Sequence, residues 1–166
     1  MNAGAYGGEL SQFVQSVRAM DVQGNILQLA PQALAMGYRH SIFMEQNLVI
    51  LSASFILEQG DVEAARQHVR ELNAARRCKQ PLEYPSAGST FKRPAGHYAG
   101  ALIEQSGLKG FSIGGAQVSE KHAGFIINTG KATTDDIRAL ITHIQNCVLH
   151  NSGILLEPEI RLIGRA

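Results

Sequence analysis

Thr133-Thr134-Asp135-Asp136-Ile137-Arg138-Ala139-Leu140-Ile141-Thr142-His143-Ile144-Gln145-Asn146-Cys147-Val148-Leu149-His150-Asn151-Ser152-Gly153 is the stretch that decides the fold class. Ile137, Leu140, Ile141, Ile144 and Val148 recur at the spacing of three and four that lines one side of an α-helix. Thr133, followed three residues later by Asp136, has the form of a capping box, in which two side chains satisfy exposed amides of the first turn. Gly153 supplies the usual stop. The spacing predicts a helix from Thr134 to His150 with one stripe that must be buried against something else.

On the carboxyl side, Ile154-Leu155-Leu156 and Ile160-Arg161-Leu162-Ile163 read as a strand broken by Pro158, whose alternation sets Glu157, Glu159 and Arg161 on one face. On the amino side a second helix opens at Asp61, with Val62, Ala65, Val69 and Leu72 on one face, and ends before Pro81. The apolar run from Leu48 to Leu57 reads as a buried strand, closed by Gln59-Gly60-Asp61, and a domain boundary follows it. Phe13 to Met20 and Ile26 to Leu29 flank the turn signal Asp21-Val22-Gln23-Gly24-Asn25 and read as a hairpin. Strands and helices in this arrangement predict an α+β protein.

The 166 residues suffice for one substantial core or two small ones without disulfides or metals. Fifteen Lys and Arg against 14 Asp and Glu give a net charge of +1, too little of a field to grip a nucleic-acid backbone. No apolar run approaches a membrane span, and no basic and apolar leader opens the chain, so a cytoplasmic location is expected. Cys78 and Cys147 stand alone without metal-ligand spacing, and no metal site is expected. Glycine is abundant at 17 residues, and nine of these fall between Gly88 and Gly130. Such clusters suit loops that approach a ligand closely.

Gly88-Ser89-Thr90-Phe91-Lys92 matches neither a nucleophile elbow nor a phosphate loop. With Arg76, Arg77, Lys79, Lys92 and Arg93 around it, this loop suits an anionic small molecule, or is a solvated basic surface. Gly114-Gly115-Ala116 lacks the dinucleotide fingerprint, and His122 by itself reads as a hydrogen-bonded structural histidine. From the residues alone, the reading is an α+β domain that binds an anion.

Five ordered motifs carry the reading further: Met1-Asn2-Ala3-Gly4-Ala5-Tyr6-Gly7-Gly8-Glu9, Tyr38-Arg39-His40-Ser41, Lys79 to Phe91, Ile113-Gly114-Gly115-Ala116 and Leu156-Glu157-Pro158-Glu159-Ile160-Arg161. Together they resemble the UDP-N-acetylenolpyruvoylglucosamine reductase family, also called UDP-N-acetylmuramate dehydrogenase. The resemblance implies a flavoenzyme that uses FAD and NADPH to reduce the enolpyruvyl group of its UDP-N-acetylglucosamine enolpyruvate substrate, in peptidoglycan precursor synthesis. It implies catalytic roles for three residues. Ser89 matches the proton donor, Arg39 the arginine that meets the substrate carboxylate, and Glu159 the glutamate that is held partly protonated or orients the reacting groups. Tyr6 and Lys79 match substrate contacts, and Arg93 and His122 occupy contact positions that carry amides in some relatives. Asn2, Gly4 and Ile50 fall where the family meets FAD.

The stretch from Leu57 to Lys79 lacks the insertion that brings a tyrosine over the substrate in one branch of the family, so the chain resembles the shorter branch. The family also places an FAD-binding segment before the Asn-Ala-Gly-Ala-Tyr-Gly motif. The resemblance therefore implies that residues 1–58 are the tail of an α+β FAD-binding domain, that 61–166 form an α+β substrate-binding domain, and that this chain alone holds FAD weakly or not at all. A monomer is expected. The competing reading is a non-catalytic UDP-sugar-binding module.

Overall fold

The computed structural model describes residues 1–164 and divides into two units, Met1–Asp61 and Val62 onward. In the first, β1 (Gly4–Ala5) and β2 (Gly8–Glu9) form a small antiparallel hairpin. β3 (Val14–Met20), β4 (Ile26–Leu29) and β5 (Val49–Phe55) form an antiparallel sheet in the order β4-β3-β5. The β3–β4 turn is built by Asp21, whose Oδ1 accepts the amides of Gln23 and Asn25, each at 2.9 Å, while Oδ2 accepts the Asn25 side-chain amide. Val14, Val17 and Leu34 form a small core with Leu29, Met36 and Phe43 packed against it.

The strand expected at Leu48 to Leu57 forms, but it is not a buried strand. β5 is an edge, paired only with β3, and every one of its residues is exposed among the described residues. A strand at the edge of a sheet takes on one side a neighbour's hydrogen bonds and on the other none.

The second unit opens with α1 (Val62–Lys79), which stops before the buried Pro81 as a missing proline amide requires. Its apolar face is not buried as the periodicity suggests: Val62, Ala65 and Val69 are exposed and Leu72 half-buried. Side-chain pairs one turn apart support it instead, including Arg66 with Glu63 at 2.6 Å and Gln67 with Glu71 at 2.8 Å. Arg76, Arg77 and Lys79 in its last turn complement the helix dipole.

β6 (Ser86–Ser89), β7 (Ser112–Ile113), β8 (Ala116–Val118) and β9 (Phe125–Asn128) make an antiparallel sheet in the order β6-β9-β8-β7. Helix α2 (Ala99–Gln105) and helix α3 (Thr134–Ser152) pack together, with α3 against β7 and β8. Here the sequence pattern holds. Leu140, Ile141, Ile144 and Val148 of α3 are buried with Leu102 and Ile103 of α2, Val118 and Ile126 of the sheet, Phe91 and Leu156. Burial of a side chain of this size contributes about 1.5–3 kcal/mol, so the stripe orders the whole unit.

The start of α3 is closed by the expected capping box: Thr133 Oγ1 accepts the Asp136 amide at 3.1 Å, and Asp136 Oδ2 accepts the Thr133 amide at 2.9 Å. Asp136 also accepts the Gly115 amide at 3.3 Å. Gly114-Gly115 is thus not an open ligand loop but a close-packed joint: a Cβ on Gly115 would stand 2.3 Å from the Ala132 nitrogen.

The strand expected around Pro158 does not form. Among the described residues one bridge stands there, between Phe91 and Pro158, and the flanking residues 154–157 and 159–163 are irregular. Proline has no amide to donate, so a ladder cannot run through it on both sides.

Two consequences are measurable. Thr133→Ala is expected to lower unfolding stability by about 1 kcal/mol in urea titration followed by helical circular dichroism, the usual cost of a lost cap. The backbone amides of Thr133 and Gly115 hold the Asp136 carboxyl below its ordinary value of 3.8. A lowered folded-state value contributes stability above 3.8 that is lost as pH falls through the lowered value. Asp136→Asn should therefore flatten the acid limb of the thermal-midpoint curve below that pH, and a parallel limb would contradict this.

Candidate functional site

Within the second unit the structure brings Ser89 and Glu159 onto adjoining segments. Ser89 ends β6, exposed, opposite Phe125 of β9 across a register irregularity, with Gly88 before it at φ +86°, a conformation that favours glycine. The next residue, Thr90, is buried and used at every backbone and side-chain polar atom. Its amide donates to the Gly124 carbonyl at 2.9 Å, its Oγ1 accepts the Ile126 amide at 3.2 Å, and its carbonyl accepts the Glu159 amide at 2.8 Å. Two residues on, the Lys92 amide donates to the Glu157 carbonyl at 2.8 Å, and Lys92 Nζ is ion-paired with Glu157. The atoms used on the second segment belong to Glu157 and Glu159, so Pro158 sits between them without needing an amide.

Lys92 is therefore not a spare cation of the loop. Arg93 lies with its guanidinium 4.0 Å over the Tyr98 ring and its Nε donating to the His97 carbonyl at 3.3 Å. The stacked, hydrogen-bonded plane is a fixed fork of the kind that recognises phosphate or carboxylate. His122 Nδ1 accepts the Gly124 amide at 3.1 Å, and its ring meets Phe125 edge-on at 4.9 Å. With Nδ1 accepting, a neutral imidazole carries its proton on Nε2, which makes it a donor. Lys79 stands exposed at the end of α1.

In the first unit, Tyr6-Gly7 is the two-residue turn between β1 and β2, and Tyr6 takes φ +53° to hold its exposed phenol at the tip. Arg39 sits in a second tight turn, closed by reciprocal bonds between Gly37 and His40 at 3.2 and 3.1 Å, with φ +52° and its guanidinium 5.1 Å over the Tyr38 ring. Left-handed backbone at non-glycine residues is uncommon and needs support from its surroundings. Asn2 provides it. Only 2% exposed, Asn2 donates to Glu9 Oε2 at 2.9 Å and to the Gly37 carbonyl at 3.2 Å, and accepts the Ser11 amide at 2.9 Å. One side chain thus ties the Tyr6 hairpin to the Arg39 turn. Gly4 lies in β1, where a Cβ would meet Glu9 Cγ at 3.1 Å, and Ile50 is exposed on β5. Ser41, just after the Arg39 turn, is buried with its hydroxyl unpartnered.

Among the described residues no group of three or more His, Cys, Asp or Glu is placed to hold a metal ion. No described helix is long and apolar enough to cross a membrane. Both cysteines are free thiols, and Cys147 lies 3.5 Å from His143 Nε2.

Comparison with known proteins gives a consistent result. Residues 80–163 match the family described as "UDP-N-acetylenolpyruvoylglucosamine reductase, C-terminal domain". The chain is 54% identical to the UDP-N-acetylenolpyruvoylglucosamine reductase of Caldanaerobacter subterraneus over 99% of its own length and 54% of the relative's. It is 51% identical to that of Lachnoclostridium phytofermentans, over 99% and 53% respectively. The chain thus spans about half the length of the curated relatives it matches. The crystal structure of UDP-N-acetylenolpyruvylglucosamine reductase from Thermus caldophilus superposes with a TM-score of 0.84 at 30% identity, over 97% of this chain and 57% of that one.

Removing the Asn2 side-chain amide leaves the half-buried Ser11 amide without its acceptor, and takes one donor each from the Glu9 carboxylate and from the Gly37 carbonyl, which keeps the His40 amide. Asn2→Ala is expected to destabilise the first unit by about 1–3 kcal/mol, read as faster hydrogen exchange at the His40 and Ser11 amides. Unchanged exchange at His40 would show that Asn2 does not support the Arg39 turn.

Proposed function

Since the chain belongs to the UDP-N-acetylenolpyruvoylglucosamine reductase family, we propose that it supplies the substrate-binding part and a portion of the cofactor-binding part of a reductase that forms UDP-N-acetylmuramate for peptidoglycan. The observation that carries this reading is the Thr90 junction. It holds Ser89, the proton-donor candidate, and Glu159 on segments joined by a 2.8 Å backbone bond.

FAD supplies hydride to the enolpyruvyl double bond when bound, NADPH being the reductant. Three features of the first unit suit it. β5 offers an exposed apolar surface that includes Ile50, the buried Ser41 hydroxyl has no protein partner, and Gly4 keeps the first hairpin tight. An apolar face and an unsatisfied hydroxyl fit a planar heteroaromatic ring with polar edges. The Asn2 amide is engaged within the protein, so its part in cofactor binding is to hold the loop.

The chain's own residues have distinct tasks. Addition of hydride at the methylene carbon drives negative charge toward the substrate carboxylate, and the neighbouring carbon then takes a proton. Ser89 gives that proton from its hydroxyl. A serine is a weak acid, so its place at the end of a strand fixed by Thr90 matters as much as its acidity. Arg39 takes the carboxylate with its planar guanidinium, and Glu159 orients the reacting groups. Lys79, Arg93 and the Nε2 proton of His122 bind the diphosphate and nucleoside, and Tyr6 the sugar. The proposed setting is a cytoplasmic monomer.

The test is turnover by the chain completed at its amino end with the corresponding portion of the Caldanaerobacter relative, assayed as NADPH oxidation with the enolpyruvyl substrate. Ser89→Ala is expected to lower kcat by about 10²-fold or more. A loss under about tenfold would remove Ser89 from the proton-donor role. Absence of turnover, with retained binding of UDP-N-acetylmuramate in calorimetry, would favour a binding module.

A further inference from the structure

Glu157 has no task in the proposed reaction, yet it is joined twice to the loop that carries Ser89. We propose that Lys92 and Glu157 are positioning residues whose ion pair fixes the register of residues 90–92 against 157–159, and through it the placement of Glu159 relative to Ser89. The functional consequence rests on the proposed reaction, while the clamp itself does not.

The pairing of these segments is short. It consists of the single Phe91–Pro158 bridge, made by two backbone bonds, Lys92 N–H to the Glu157 carbonyl and Glu159 N–H to the Thr90 carbonyl, both at 2.8 Å. The Thr90 amide is turned to the Gly124 carbonyl and not to this segment, so no longer ladder averages out errors of register. A slip of one residue would carry Glu159 to the opposite face, as any strand slip does. The Lys92–Glu157 pair is a side-chain link across this bridge, on the same two residues that share one of its backbone bonds. The two side chains are 31% and 68% exposed. A pair so solvated adds little to global stability, so its loss should act on local register and leave the core standing.

The test begins with Lys92→Met, Glu157→Gln and the exchanged pair Lys92→Glu with Glu157→Lys in the 166-residue chain. Either single change is expected to speed amide exchange at Lys92 and Glu159 on the order of tenfold, with the core amides of Leu140 and Ile144 in α3 unchanged. The exchanged pair should restore slow exchange. In the completed enzyme, Lys92→Met should lower kcat by about ten- to a hundredfold at nearly constant KM and thermal midpoint, and the exchanged pair should recover it. Unchanged exchange at Glu159, failure of the exchanged pair to restore it, or altered exchange with unaltered kcat would each overturn the proposal. Exchange is read without substrate, so failure of the proposed reaction, seen as full turnover in Ser89→Ala, is distinguishable from failure of the clamp.

Discussion

The second unit depends on a pairing of two backbone hydrogen bonds around Pro158. The Glu159 amide donates to the Thr90 carbonyl and the Lys92 amide to the Glu157 carbonyl, on either side of Pro158, which needs no amide there. Thr90 is held in turn by Gly124 and by the Ile126 amide of β9, and Ile126 is part of the core that the α3 stripe buries. A continuous physical path therefore runs from helix periodicity through a central strand to one buried hydroxyl, and from there to the Glu159 segment. Core packing sets the position of β9, and β9 sets where Ser89 and Glu159 stand.

The same economy governs the first unit, where polar side chains are spent on shaping two left-handed turns. Asn2 and Glu9 are engaged with each other, and Asn2 reaches the Gly37 carbonyl at the base of the Arg39 turn. The protein thereby presents Tyr6 and Arg39 from strained backbone. Strain of this sort costs on the order of 1–3 kcal/mol per residue and persists only where surrounding bonds over-determine it. Asn2, with three bonds and almost no exposure, is that determinant.

What the sequence makes legible follows the range of the interactions involved. The α3 stripe and its Thr133–Asp136 cap are local, and both stand as the spacing predicts. The β3–β4 hairpin is likewise local, read from Asp21 and its turn. Long-range features escape. The sheet of β6 to β9 is built from strands of two to four residues, too short for alternation to register, and α2 carries Gly100 near its start, which weakens its helical signal. The apolar runs at β5 and α1 announce burial, yet their faces are exposed among the described residues, because hydrophobicity marks what a segment can cover and not what covers it. The candidate site shows the same division. Ordered motifs name Ser89, Arg39 and Glu159 as candidates, whereas the bonds of Thr90 and the Lys92–Glu157 pair emerge only when distant segments meet.

The measurement that bears most directly on this account is the scalar coupling across the hydrogen bond between the Glu159 amide nitrogen and the Thr90 carbonyl carbon, recorded by nuclear magnetic resonance on the 166-residue chain. A resolved coupling at that pair, with a second between Lys92 nitrogen and the Glu157 carbonyl carbon, is the predicted result. Couplings absent from both pairs while those inside α3 are present would contradict it, because Ser89 and Glu159 would then lack the junction that holds them together.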